Sequence, residues 1–254
     1  MPAPRATVKT PSPALPADVQ LRERTYQELK RRLLSGEWAS EPMLSQRHLA
    51  RLLGTSLTPV RSAVERLEAE GLVRIEPRRG VMLRQLDARE VAELYEFRVA
   101  IESYVLEQVA GRVAGGQVSV AQLSELERLM ERQRAAVSRG DVPGTVEADA
   151  AFHQALCAAT GNREIVAAMD RLRDRVCRVI LQVVSAYPVR MAESVTEHEQ
   201  ILQAVVAGDG RLAAARLREH LGRGRELMAS ASMNRAASPG GDPPVHRLGE
   251  GGLR

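Results

Sequence analysis

Residues 43–71, MLSQRHLARLLGTSLTPVRSAVERLEAEG, leave the chain little freedom in how it folds. Leu49, Leu52 and Leu53 recur at helical spacing behind Ser45, a suitable N-cap. Gly54 then ends that helix, because glycine readily enters the left-handed conformation that helix C-termini often need. After a short polar turn, Ser56 or Thr58 can cap a second helix, with Pro59 in its first turn where a missing N–H costs nothing. The second helix carries Val60, Val64 and Leu67 inward and Arg61 outward. The outcome is a helix-turn-helix whose second member offers hydroxyls and a cation at its leading end.

Residues 72–76 and 81–84 are short β-prone runs joined by Pro77-Arg78-Arg79-Gly80, so they predict a hairpin with a doubly basic tip. The whole run LSQRHLARLLGTSLTPVRSAVERLEAEGLVRIEPRRGVML resembles the winged helix-turn-helix of the GntR family of bacterial transcription regulators. TPVR, RLEAEGLV and RRG are its most specific parts, and the resemblance takes in residues 19–86. It implies binding to double-stranded DNA. Ser56, Leu57, Thr58 and Arg61 are then expected to face the major groove, where Arg61 can read guanine and Leu57 can touch a thymine methyl. Leu57 stands where family members often have arginine. Arg47, Arg78 and Arg79 are expected on phosphates, with Gly80 closing the wing tip.

Charge agrees with this division. Residues 19–86 hold 13 Arg and Lys against 8 Asp and Glu, whereas residues 87–228 hold 18 against 21. The basic excess falls on the segment expected to meet DNA. No apolar run approaches the ~18 residues of a membrane span. The first 18 residues read as a flexible Pro/Ala arm without the apolar stretch of a secretory signal. Cys157 and Cys177 fit no metal or redox spacing and suit a reducing compartment, so the cytoplasm is the expected location.

The remainder predicts a mainly α protein. Residues 19–35 form a helix that should complete a three-helix core with the helix-turn-helix. Beyond the wing, helices are expected near 87–111, 119–139, 143–160, 162–186, 189–207 and 209–229, separated by Gly, Pro and Asn breaks. Six helices with short connections favour an antiparallel bundle, so residues 87–229 are read as a second, helical domain. Residues 230–254 are Gly/Pro-rich without periodicity and are expected to be disordered.

Charged residues interrupt the apolar stripes of that bundle. His153 falls on the stripe Val146, Ala150, Leu156 with Asp149 beside it, the two standing four apart, one turn from each other on one face. His198 falls on the stripe Val195, Leu202, Val205, and His220 on the stripe Ala213, Leu217, Leu227. Unpaired, such buried groups are costly, and one divalent cation would satisfy all four. Three nitrogens and one oxygen suit Zn²⁺, Ni²⁺, Mn²⁺ or Fe²⁺. The alternative is that each histidine is a hydrogen-bonded core residue. Arg98 interrupts the stripe Val91, Leu94, Ile101, Val105, so its guanidinium needs an anion: a bound carboxylate, or an internal partner such as Asp149 or Glu102. Arg173 and Arg175 flank another stripe and can serve a cavity edge or solvent-facing ion pairs.

DAAFH at 149–153, EHEQIL around His198 and REHL around His220 resemble the FCD effector-binding domain of the FadR subfamily within GntR. That likeness implies an Asp/His₃ metal site beside a pocket for a small organic acid, faced by Arg98 and, less specifically, Arg175. The function so implied is a ligand-responsive regulator, most often a repressor in this family, acting as a homodimer on a pseudo-palindromic operator. Two rivals stand beside it: a metal-dependent enzyme with an appended DNA-binding module, and a purely structural metal in a dimerising bundle.

Overall fold

The computed structural model describes residues 16–38 and 43–237, side chains up to 233. They divide into two compact units, one holding residues up to Arg31 together with Met43–Leu83, the other holding Arg32–Pro42, so the last turn of the first helix, together with Arg84 onward.

In the first unit, α1 spans Ala17–Leu34, α2 Gln46–Leu52 and α3 Leu57–Ala69, followed by β1 (Val73–Glu76) and β2 (Gly80–Leu83). Helix α1 starts inside the stretch expected to be an arm; residues 1–15 of that arm lie outside the described residues. Ser45 caps α2 by accepting from the His48 N–H, and Gly54 follows the helix with φ +58°. Ser56 is the N-cap of α3, yet its hydroxyl makes no capping bond and stays available. Val60, Ala63, Val64 and Leu67 bury the inner face of α3. On α1, Tyr26 and Leu29 are buried, while Leu21 is exposed. Tyr26 donates its hydroxyl to Glu70 at 2.7 Å and lies 3.6 Å beneath the Arg66 guanidinium, which joins α1 to α3.

Strands β1 and β2 pair antiparallel, Val73 opposite Leu83 and Glu76 opposite Gly80, and Leu44 adds a bridge to Val81. Gly80 is required here twice over. Its φ is +135°, and a Cβ would lie 2.6 Å from the Leu44 carbonyl oxygen.

The second unit contains, beyond residue 84, six helices: α4 (Ala88–Ala114), α5 (Val120–Ser138), α6 (Val142–Ala159), α7 (Arg163–Ala186), α8 (Arg190–Val206) and α9 (Gly210–Ala237). Capping boxes at Asp87 and Ser119 and the side-chain cap at Asn162 set three of the starts. Helix α4 packs along α9, α6 lies between α5 and α7, and α8 packs on α9. The close approach of α9 to α4 needs Gly210, where a Cβ would fall 2.8 Å from the Glu107 Cα. Phe152, Leu106, Leu126, Met130, Ile201, Leu217 and Leu221 are fully enclosed in the core.

One expected boundary is corrected. Helix α9 does not stop at 229 but continues to Ala237, so residues 230–237 are helical rather than tail. The stretch ASASMNRAA after Met228 holds no Gly or Pro to break the helix, and Ala231 is buried. The remainder of the tail, 238–254, lies outside the described residues.

Candidate metal centre and nucleic-acid interface

Four side chains converge in the second unit. Helix α6 supplies Asp149 and His153 from adjacent turns, α8 supplies His198 and α9 supplies His220. All are buried, and one ligand atom from each lies within 4.8 Å of the others. His153 Nε2 is 3.1 Å from His198 Nε2, which is 3.2 Å from His220 Nε2. Asp149 stands 3.9 Å from His153 Nε2 and 3.7 Å from His198 Nε2. Phe152 stacks on His198 at 4.6 Å between centroids and covers that side of the cluster.

The outer partners decide what these nitrogens can do. His198 Nδ1 faces Gln133 Oε1 at 2.9 Å, and His220 Nδ1 faces Glu197 Oε2 at 2.6 Å. His153 Nδ1 lies 2.6 Å from Glu102 Oε2, close but off the line of a hydrogen bond. Each of these three oxygens is an acceptor and favours the proton on Nδ1 of its imidazole, although at His220 Nδ1 the donor Arg190 Nη2, 3.1 Å away, competes with Glu197. Three Nε2 lone pairs then point at one another with no proton to share. Burial, with His220 and His153 nearby, pushes the His198 pKa far below its ordinary value, so added protons do not relieve the clash. Burial likewise lowers His220, against the pull of Glu197. A cation does relieve it. Ligands at about 2.1 Å from a common ion stand roughly 3.0–3.4 Å apart, the spacing seen between the imidazoles. The donor set therefore fits a divalent metal, held by Asp149, His153, His198 and His220.

Beside the cluster lies a cavity lined by Arg98, Asp149, Arg190, Ser194 and His220, with apolar walls from α7 and Leu221. Its central free space is ≈ 30 Å³. Of the two alternatives for Arg98, the internal partner Glu102 is the one present. Its Nε donates to Glu102 at 2.6 Å, while its Nη2, also buried, has no hydrogen-bond partner among the described residues. Burial opposes the charge on Glu102, but Arg98 and His153 hold its pKa down at about 2.

Arg175 is not brought to this cavity. It sits five residues from the lining residue Ile180, roughly 140° around α7. Arg173 pairs instead with Glu147. The second cation at the cavity is Arg190, which clamps Glu197 at 2.7 and 2.5 Å and lies 3.1 Å from His220 Nδ1. Sequence reasoning missed Arg190, since it opens a helix just after Pro188, where no periodicity exists to mark a buried face. Gln133 was findable, as a polar residue on the buried stripe Leu126, Leu129, Met130, Ala136 of α5.

In the first unit, Arg47, Ser56, Leu57, Thr58, Arg61, Arg78 and Arg79 are all exposed, Leu57 at 41%. Ser56, Leu57, Thr58 and Arg61 lie in or just before the first turns of α3. Arg78 takes a left-handed φ of 65° at the wing tip. Basic and hydroxyl side chains of these types are the ones that hold phosphates and read base edges in a major groove.

Comparison with known proteins settles the family. The model of bacterial regulatory proteins of the gntR family matches residues 21–83, and the FCD domain model matches residues 93–223. The chain belongs to the GntR family. More narrowly, it is a GntR regulator with an FCD domain, and that family comprises DNA-binding transcription regulators rather than enzymes. Over 110 residues it is 38% identical to an HTH-type transcriptional regulator of Agrobacterium vitis, covering 43% of this chain and 63% of that protein. The gluconate operon transcriptional repressor of Bacillus licheniformis is 27% identical over 176 residues, 69% of this chain and 68% of that one. A crystal structure of a GntR regulator from Rhodococcus sp. RHA1 superposes with a TM-score of 0.70 at 22% identity, covering 84% of this chain and 99% of that one. The buried Asp/His cluster of this GntR chain fits the FCD metal site.

Proposed function

We propose that this GntR regulator is a cytoplasmic repressor whose affinity for a pseudo-palindromic operator is set by a small carboxylate bound beside a divalent metal. The observation that carries the reading is the pairing of unsatisfied groups. Three imidazole lone pairs and Asp149 converge on one point, and the neighbouring cavity is lined by a buried guanidinium with an unpartnered Nη2. A carboxylate placed there would meet the metal and Arg98 at once. Zn²⁺, Ni²⁺, Mn²⁺ and Fe²⁺ suit the N₃O donor set. No described helix is long and apolar enough to cross a membrane.

On this reading the chain works as a homodimer, two recognition helices meeting two half-sites. The effector changes operator affinity only through its different affinity for two arrangements of the dimer. The relative from Bacillus licheniformis is named a repressor, which supports the direction of regulation. Selection of binding sites from a random DNA pool, then titration with metal-loaded and metal-stripped protein, tests the proposal. A two-fold symmetric site whose affinity responds to carboxylic acids only in the loaded protein is expected. Failure to enrich any symmetric site would overturn it.

A further inference from the structure

Resting on the carboxylate reading above, we propose that the effector is a monoanion: a monocarboxylic acid with a short apolar body, dicarboxylates being rejected. Charge in an enclosed space decides this. Both guanidiniums at the cavity are already matched, Arg98 by Glu102 at 2.6 Å and Arg190 by Glu197 at 2.7 and 2.5 Å. The remaining ionised group in the lining is Asp149. A divalent cation held by Asp149 and three neutral imidazoles retains one uncancelled positive charge. Tyr95 adds none, for burial pushes its phenol up to about 12. Glu193, 3.7 Å from Arg190 Nη1, has a side chain 36% exposed, where water screens it. One negative charge therefore neutralises the site, whereas a second would be buried without a counterpart, which is costly in so enclosed a place.

The walls agree. The apolar lining is Ile180, Val183, Val184, Met191 and Leu221, and Tyr95, Thr145 and Ser194 add only neutral hydroxyls, so the walls hold no further positive charge for a second carboxylate. Free space of ≈ 30 Å³ holds little more than water, so the apolar body is short, with the pliable Met191 side chain best able to give way. Arg98 Nη2, with both its N–H groups unused, can donate to a carboxylate.

Calorimetry on full-length Zn²⁺-loaded protein, with butyrate and succinate as probes, tests this. The two acids share a four-carbon chain and differ by one carboxylate. Butyrate is expected to bind at least tenfold more tightly. Tighter binding of succinate would overturn the monoanion assignment while leaving a carboxylate pocket standing. No heat with either acid would overturn the pocket itself, and this inference with it. In Glu197→Gln, with its metal content confirmed, the site gains one positive charge while keeping the side-chain shape. The butyrate-to-succinate ratio should fall about tenfold, and an unchanged ratio would contradict the charge assignment.

Discussion

The imidazoles of the metal centre are held by acceptors on other helices: Glu102 from α4, Gln133 from α5 and Glu197 from α8. These residues orient the ligands without touching an ion. Gln133→Leu removes the acceptor for His198 Nδ1–H but no ligand, and should weaken metal affinity about 10–100-fold. A competition titration against a chromophoric chelator measures it, and unchanged affinity would mean that the His198 ring is fixed by packing against Phe152 alone. In the other unit, Arg61 projects from the leading turns of α3 and is exposed. Arg61→Ala should cost about 1–3 kcal/mol of operator discrimination with an unchanged circular dichroism spectrum. Retained specificity would remove Arg61 from the base-reading set. At this scale the convergence of the three histidines and Asp149 was legible because each histidine broke an apolar stripe of period 3.6, with Asp149 one turn from His153. Arg190 was not, because its burial depends on how α8 meets α9, a tertiary fact with no local signature.

Among the elements, α1 and α3 are tied by Glu23, which accepts from Arg66 at 2.8 Å, and by Glu70, where several donors meet. Glu70 accepts from Tyr26 and from Lys30, with Arg66 alongside. Burial raises its pKa, but those hydrogen bonds prevail and hold it below the ordinary 4.5. A carboxyl group that ionises more readily in the folded chain stabilises it above about pH 4.5, and that contribution is lost as the pH falls towards the depressed folded value. The stability gap between wild type and Glu70→Gln, from urea midpoints, should therefore be larger at pH 7 than at pH 4; a gap that widens on acidification would contradict the assignment. The wing turns on Gly80. Gly80→Ala should destabilise the hairpin by about 1–3 kcal/mol, through strain and the clash with Leu44, and weaken DNA binding at all sequences alike. Element type was readable throughout from capping residues and Gly or Pro breaks. The end of α9 was not: the composition of 238–254 masked an Ala-rich run that continues the helix.

The whole molecule carries exposed basic and hydroxyl-bearing residues on α3 and the wing in one unit and a buried Asp/His cluster that fits a metal site in the other, within a family that regulates transcription. That family membership does not depend on the ion; the proposed sensing does. The deciding measurement is native mass spectrometry of the purified full-length protein beside His198→Ala, with metal content by elemental analysis. One divalent ion per chain in the wild type, lost in the variant while the far-ultraviolet spectrum persists, is the expected result. Wild-type protein that takes up no ion from millimolar Zn²⁺, Ni²⁺, Mn²⁺ or Fe²⁺, or a variant that binds as tightly as wild type, would contradict it.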